Sequence, residues 1–355
     1  MESNVVFTNN VGEAIDRVVS EIAPLKVFVL VDENTCVSVL PVLQSQSISV
    51  KDARVIKVKP GDENKNLTSL SYIWEQLGNN GATRRSLLIN LGGGVVTDMG
   101  AFAAATFKRG IHFVNVPTTL LAAVDASVGG KTGINFNGLK NEIGAFKDAD
   151  KVIVSTVFFN TLSDIEMRSG YGEMLKHGLI SDRKMVGSLI SQDMLKLNRE
   201  HMLDMLRENV GVKQQIVHED PTEKGLRKAL NLGHTTGHAF ESFALKRRTP
   251  IPHGYAVAYG LVVELILSVM KEGFETDMMR SIAGYVYENY GAFAITCDDY
   301  DEITNFMRHD KKNADASSIN FTLLKDVGVL ALDRTATIDE IKTALDIYRD
   351  VMHLD

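Results

Sequence analysis

The chain opens as a succession of short apolar runs, each cut off by a turn former. Val27-Phe28-Val29-Leu30-Val31 stops at Asp32, residues 55–58 stop at Pro60-Gly61, and Leu87-Leu88-Ile89 stops at Asn90. Runs of this length, rich in Val, Ile and Leu and without helical spacing, predict buried strands. Their alternation with helix-like segments predicts βα units wound about a parallel sheet. Ligands meet such sheets beyond the carboxyl ends of the strands, so Asp32, the Gly61-Asp62 turn and the Gly92-Gly93-Gly94 turn are expected along one crevice. From about Thr161 the period changes. Residues 202–215 and 338–348 carry apolar positions at helical spacing, and the second half is expected to be mainly helical. The spacing predicts a domain 1–160 and a domain 161–355, with the break near residues 158–161.

The longest apolar run, residues 256–270, is interrupted by Gly260 and Glu264 and is shorter than a membrane span, so it predicts a buried helix. Met1-Glu2-Ser3-Asn4 lacks a basic segment followed by an apolar core, and no signal peptide is expected. Hydrophobic residues at 45% and charged residues at 23% are those of ordinary globular proteins and exclude a disordered chain. The net charge of −7 leaves no general positive field for nucleic acid or a membrane surface, so neither partner is expected. An anionic ligand must then meet a local basic cluster. Cys36 and Cys297 are far apart and have no metal spacing, which excludes a disulfide framework and makes the cytoplasm the expected address.

Leu91-Gly92-Gly93-Gly94-Val95-Val96-Thr97-Asp98 follows a strand-like run and leads into an Ala-rich helix. Glycines there let backbone N–H groups and a helix N-terminus approach a pyrophosphate. The segment is neither G-x-G-x-x-G nor a P-loop, so a tight turn fits equally. Asp32 fits either a ribose contact or a helix cap. Together with residues 61–65 and with Thr118-Thr119 after Pro117, it outlines a dinucleotide crevice. In the helical half, Glu173, His234, His238 and His253 are typical ligands of zinc or cobalt. His234 and His238, four apart, also fit a plain helix face, but Gly233, Gly237 and Gly254 beside the imidazoles favour close approach of a ligand or of backbone. Arg109, Lys131, Lys140, Lys176, Lys213, Arg227, Lys311 and Lys312 recur beside the same motifs, and Lys131 falls in the Gly-rich stretch Val128-Gly129-Gly130-Lys131-Thr132-Gly133, expected to be an anion-binding loop.

Taken in order, residues 92–110, Val116-Pro117-Thr118-Thr119-Leu120-Leu121-Ala122, residues 125–132, Lys140-Asn141-Glu142-Ile143-Gly144-Ala145-Phe146 and residues 230–239 resemble the 3-dehydroquinate synthases, within the sugar-phosphate cyclases. The resemblance spans residues 27–324. It implies an α/β N-terminal dinucleotide-binding domain, a mainly α-helical C-terminal metal-binding domain, an active site between them, and a homodimer. It also implies NAD and one divalent metal, Zn or Co, with Glu173, His234 and His253 as ligands. Asp125, Lys176 and His238 would surround substrate hydroxyls. Lys131, Asn141, Lys213, Arg227, Asn231 and one of Lys311 or Lys312 would meet phosphate or carboxylate, and Lys140 would join the catalytic residues. NAD contacts would come from Asp32, Asn34, Asp62, Lys65, Gly93, Gly94, Asp98, Thr118, Thr119, Lys140, Phe158 and Thr161. Arg109 would reach an active site, either that of its own chain or that of the partner across the dimer. The implied reaction converts a phosphorylated keto acid, 3-deoxy-D-arabino-heptulosonate 7-phosphate, to 3-dehydroquinate through transient oxidation, phosphate elimination, reduction and aldol closure.

Three departures stand out. The frequent Leu-Pro-x-Arg-Glu reads Leu162-Ser163-Asp164-Ile165-Glu166, His-Gly-Glu reads His253-Gly254-Tyr255, and a common Gly-Glu turn reads Gly61-Asp62. Other readings of the same residues are a cyclase for a neutral sugar such as sedoheptulose 7-phosphate, a metal- and NAD-dependent polyol dehydrogenase, and a noncatalytic nucleotide-binding scaffold.

Overall fold

The computed structural model describes residues 4–137, 139–308 and 318–354. The chain divides into two compact units, which interleave in sequence: unit 1 takes Met1–Ser163 and Asn198–Val210, and unit 2 takes Asp164–Leu197 and Gly211–Asp355.

Unit 1 is built on the strands β1 (Val5–Phe7), β2 (Lys26–Asp32), β3 (Arg54–Val58), β4 (Ser86–Gly92), β5 (His112–Pro117), β6 (Lys131–Phe136), β7 (Leu139–Phe146) and β8 (Lys151–Val154). Six of them form one sheet in the order β1-β8-β5-β4-β2-β3, and every pairing is parallel. The central strand β4 is buried at each position and β2 buries Phe28 to Val31 in succession, so these strands read in sequence as continuous apolar runs. Asp32 pairs with Val58, and Gly92 with Pro117. Strand ends are therefore level in pairs, and the turns after β2, β3, β4 and β5 follow one another along a single edge. After β2 the chain runs outward to β3 and returns to the other side of β2 for β4, which makes the carboxyl edge between β2 and β4 the point where the winding reverses.

The Gly94–Thr106 helix packs tightly on this sheet: a Cβ on Gly100 would stand 2.0 Å from Asn90 Oδ1. The segment 198–210 is tied to unit 1 by Asn9 Nδ2 donating to Glu200 Oε1 at 2.9 Å and by Thr156 Oγ1 donating to the Arg199 carbonyl at 3.1 Å. Strands β6 and β7 form an antiparallel hairpin in which Lys131 pairs with Phe146 and Ile134 with Ile143. This corrects the expected loop around Lys131. Gly129 and Gly130, at φ 104° and 69°, make the turn, and Lys131 already opens the strand. Gly133 and Gly144 face each other across the hairpin, and a Cβ on Gly144 would stand 2.0 Å from the Thr132 carbonyl, so these glycines serve strand approach rather than a loop.

Unit 2 gathers helices around the long helix His253–Glu272, in which residues 254 and 256–268 are buried. That helix alone among the described residues is long and apolar enough to cross a membrane, but 78% of its apolar window is buried in the protein, as expected for a core helix. Unit 2 also holds an antiparallel hairpin of β9 (Ser318–Asp326) and β10 (Val329–Thr337), which the helical expectation did not include. Ile319 and residues 321–324 of β9 are buried, so the middle of this strand is covered on both faces. Lys311 and Lys312 lie outside the described residues.

Candidate active site

In unit 1 the candidate nucleotide residues collect at the carboxyl edge of the sheet. β4 ends at Gly92, Gly93 takes the N-cap position, and Gly94 begins a thirteen-residue helix. The Thr118 N–H donates to the Gly92 carbonyl at 3.0 Å, joining the ends of β4 and β5. A Cβ on Gly93 would meet Thr119 Cγ2 at 3.2 Å and one on Gly94 would meet Ala126 Cβ at 3.3 Å, so hydrogen alone fits comfortably on either. A glycine N-cap offers the helix no side-chain acceptor, which suits the helix N-terminus to an anion such as a pyrophosphate.

Beside it, the buried Lys65 ammonium lies 2.5 Å from Asp98 Oδ2 and 2.5 Å from Asn141 Oδ1. Asn135 continues the chain of contacts: its Nδ2 donates to the Asp62 carbonyl at 3.0 Å, and its Oδ1 accepts from the Asn141 N–H at 2.9 Å. Lys140 stands 3.8 Å from Asp62. Asp62, Lys65, Asp98, Lys140 and Asn141 are thus brought together, and hairpin β6–β7 is pinned to the turn after β3. Asp32 Oδ1 accepts from the Thr35 N–H at 2.7 Å and caps the short helix that carries Asn34. Phe158 is packed into the unit's apolar core, and Thr161 Oγ1 donates to its carbonyl at 2.7 Å. Asp125 sits in a short π-helical turn beyond β5. Arg109 is not brought to this edge. It precedes the first residue of β5, at the opposite end of the parallel strands, with φ at 68°.

In unit 2 three helices deliver a carboxylate and two imidazoles to one point. Glu173 comes from Asp164–Ser181, His234 opens His234–Lys246, and His253 opens His253–Glu272. Glu173 Oε1 lies 3.3 Å from His234 Nε2 and 3.2 Å from His253 Nε2, and its other oxygen meets the buried Lys176 ammonium. The outer nitrogens face other partners: His234 Nδ1 is 3.1 Å from the Leu232 carbonyl and His253 Nδ1 is 3.2 Å from Glu241 Oε2. Two Nε2 atoms converging on one carboxylate oxygen, each ring oriented through its Nδ1, fit a divalent ion. His238, on the same helix as His234, has its ring centroid 5.9 Å from that of His253, and with Glu241 and His253 forms a neighbouring donor group.

Glycines make this meeting possible. A Cβ on Gly254 would lie 1.7 Å from the Ser169 carbonyl oxygen, one on Gly172 2.3 Å from that of Gly254, and one on Gly237 2.9 Å from that of Ala256. Arg227, nearly fully buried, donates from Nη1 to the Pro221 carbonyl at 2.8 Å, and Asn231 Nδ2 donates to Glu223 Oε1 at 3.0 Å. Lys213 is also buried in this unit. Asn135, Glu223, Glu241 and Glu264 are among the polar residues near the candidate sites that the sequence did not single out. Glu264 left one trace, as a carboxylate inside the most apolar run.

Burial would raise the Glu173 carboxyl, but Lys176 and then His234 and His253 outweigh it and hold the pKa well below the usual carboxylate range. Burial, with Lys176 nearby, pushes His234 down to about 4. Burial also opposes charge on His253, yet hydrogen bonds to Glu173 and Glu241 raise it to about 10. At neutral pH His253 is therefore held as an imidazolium, and a cation bound there would have to displace that proton. Apparent Co²⁺ affinity should rise about tenfold per unit between pH 7 and pH 9 and level off above the pKa. Competition against a chromophoric chelator measures it, and a flat profile over those two units would contradict the protonated state assigned to His253.

Comparison with known proteins places this architecture. Residues 55–169 match the family model described as 3-dehydroquinate synthase N-terminal, and residues 170–313 match 3-dehydroquinate synthase C-terminal. The 3-dehydroquinate synthase of Parabacteroides distasonis is 46% identical over 349 residues, covering 98% of each chain. Among solved structures, 2-deoxy-scyllo-inosose synthase complexed with carbaglucose-6-phosphate, NAD⁺ and Co²⁺ superposes with a TM-score of 0.85 at 22% identity, over 98% of this chain and 96% of that one. A 2-epi-5-epi-valiolone synthase from Streptomyces hygroscopicus with NAD⁺ and Zn²⁺ bound gives 0.81 at 21%, over 98% and 96%. At such identities these two establish the fold alone.

Proposed function

This chain belongs to the 3-dehydroquinate synthase family, and we propose on that footing that it cyclises 3-deoxy-D-arabino-heptulosonate 7-phosphate to 3-dehydroquinate with release of phosphate. The observation that carries the reading is the convergence of His234 and His253 Nε2 on Glu173 Oε1 in a chain 46% identical to a 3-dehydroquinate synthase.

When bound, NAD supplies a reversible hydride acceptor and the divalent ion a Lewis acid that eases deprotonation of an alcohol. Glu173, His234 and His253 would hold the ion, and Lys176 keeps the Glu173 carboxylate ionised inside the protein. Gly93 and Gly94 would present backbone N–H groups to the pyrophosphate, with Asp32, Asp62, Lys65 and Asp98 flanking the nucleotide. Lys131, Lys140, Asn141, Lys213, Arg227 and Asn231 would bind the substrate's phosphate and carboxylate, and Asp125 and His238 its hydroxyls. Elimination of phosphate can use the leaving group's own oxygen as base, which leaves the side chains to orient the substrate and neutralise its charges.

The test is phosphate release from the keto-acid phosphate, assayed with and without NAD and a chelator, alongside sedoheptulose 7-phosphate. Release should need both NAD and metal, with no accumulation of NADH because the hydride returns to the substrate. Stoichiometric NADH would mark a polyol dehydrogenase instead, and preference for the neutral sugar would mark a different cyclase.

A further inference from the structure

The two residues that break the most apolar run of the chain, Gly260 and Glu264, are both aimed at the helix that carries His234. A Cβ on Gly260 would stand 2.0 Å from the Gly233 carbonyl oxygen and 2.7 Å from the Gly237 nitrogen, so the helices His234–Lys246 and His253–Glu272 touch backbone to backbone. The contact dictates what can stand at residue 233. Its φ is 77°, and a Cβ there would lie 2.8 Å from Leu261 Cδ2 and 3.1 Å from the Leu261 nitrogen. Residue 233 must be glycine, and a glycine N-cap brings no acceptor to the free N–H groups of its helix.

Water cannot fill that gap, because Thr235 and Thr236 are buried and His234 is nearly so. The acceptor comes from across the contact. Glu264, fully buried, takes the Gly233 N–H on Oε2 at 2.6 Å and the Thr236 N–H on Oε1 at 3.0 Å. One carboxylate thus caps the N-cap and third helical residues on either side of His234, in the position where negative charge best complements the helix dipole. Glu264 lies eleven residues after His253 on one helix, close to three full turns at about 3.6 residues per turn, so both project from the same face.

We propose that Glu264 is a positioning residue for the metal centre: by capping the His234 helix from the His253 helix, it fixes the register of the two imidazoles. The inference rests on the metal reading of Glu173, His234 and His253. Glu264 places both carboxylate oxygens on backbone N–H groups. It acts through the backbone on which His234 is mounted.

Glu264→Gln keeps the side chain's shape but turns one acceptor into a donor facing a backbone N–H. The dissociation constant for Co²⁺ should rise about ten- to a hundredfold, and the visible absorption of the Co²⁺-loaded protein should change in position or intensity. NAD affinity should stay as it is. Glu264→Asp, with its charge retained at shorter reach, should fall between the two, and it decides the matter if the Gln variant does not fold. Glu272→Gln, on the same helix and paired with Arg334 at 3.0 Å, controls for loss of stability alone and should leave Co²⁺ affinity unchanged. Co²⁺ affinity and spectrum indistinguishable from the unaltered protein in the folded Glu264 variant, even at a lower melting temperature, would overturn the proposal. Failure of the unaltered protein to bind Co²⁺ would instead remove the metal centre itself, and this inference with it.

Discussion

Replacing His253 by Ala should abolish divalent-ion binding and lower phosphate release by at least about 10³-fold, the rate equivalent of the several kcal/mol a Lewis acid contributes. His253 supplies one of the two imidazoles on Glu173 Oε1, and a carboxylate with a single imidazole leaves too few donors for a tightly held zinc or cobalt. The fold should survive. The residue is partly exposed at the first position of its helix, Ala is a good helix former, and Glu173 keeps its contact with Lys176. The melting temperature should move by only about 5 °C. Metal content, phosphate release and a thermal melt read the three parts separately, and retention of more than a tenth of the original rate would remove His253 from the ligand set.

The largest loss of stability should come from a single methyl. Gly254→Ala places a carbon 1.7 Å from the Ser169 carbonyl oxygen and 2.4 Å from its carbon, and neither backbone atom can rotate away. The helices Asp164–Ser181 and His253–Glu272 must separate, at a cost of about 2–3 kcal/mol in the range for overpacked interiors. Gly254 follows His253 and its opposite number Gly172 precedes Glu173, so separation also draws a carboxylate from an imidazole, and Co²⁺ affinity should fall together with stability. Gly284→Ala is the contrast. It lies in a helix with nothing within 4 Å of its Cβ position, and should leave stability unchanged or raise it by about 0.5–1 kcal/mol. Urea unfolding of the two variants tests the argument, and a Gly254→Ala protein with unaltered midpoint and metal affinity would refute the close-contact account.

What could be read from the chain beforehand follows the range of the forces involved. The strands β2 and β4 and the glycine turn after β4 were legible because burial pattern and turn chemistry are local. His234, His238 and the glycines beside them were legible for the same reason. Glu241 and Glu264 were not. Each reaches its partner across a helix contact, twelve residues from His253 and thirty-one from Gly233, and the one local trace, Glu264 inside an apolar run, points to no partner. The start of β6 looks like part of a Gly-rich loop over residues 128–133 because cross-strand glycines and turn glycines look alike until the pairing is known. β9 carried a usable alternation in Ile319, Phe321 and Leu323, outweighed by the helical patterns on either side of it. Arg109 shows the opposite limit: the resemblance leaves open which copy's site it serves, and within one copy it stands at the far end of the sheet from the glycine turn after β4.

The interleaving of the two units constrains how the gene can be cut. Unit 1 is incomplete without residues 198–210, which are encoded after the first two helices of unit 2 and clasp Asn9 and Thr156 near the start and end of the sheet. A truncation at the apparent midpoint strips the first half of that clasp, and the second half begins with a segment that belongs elsewhere. During synthesis, the sheet of unit 1 waits for residue 210 to emerge before its last contacts can close, by which time the Glu173 helix has already left the ribosome.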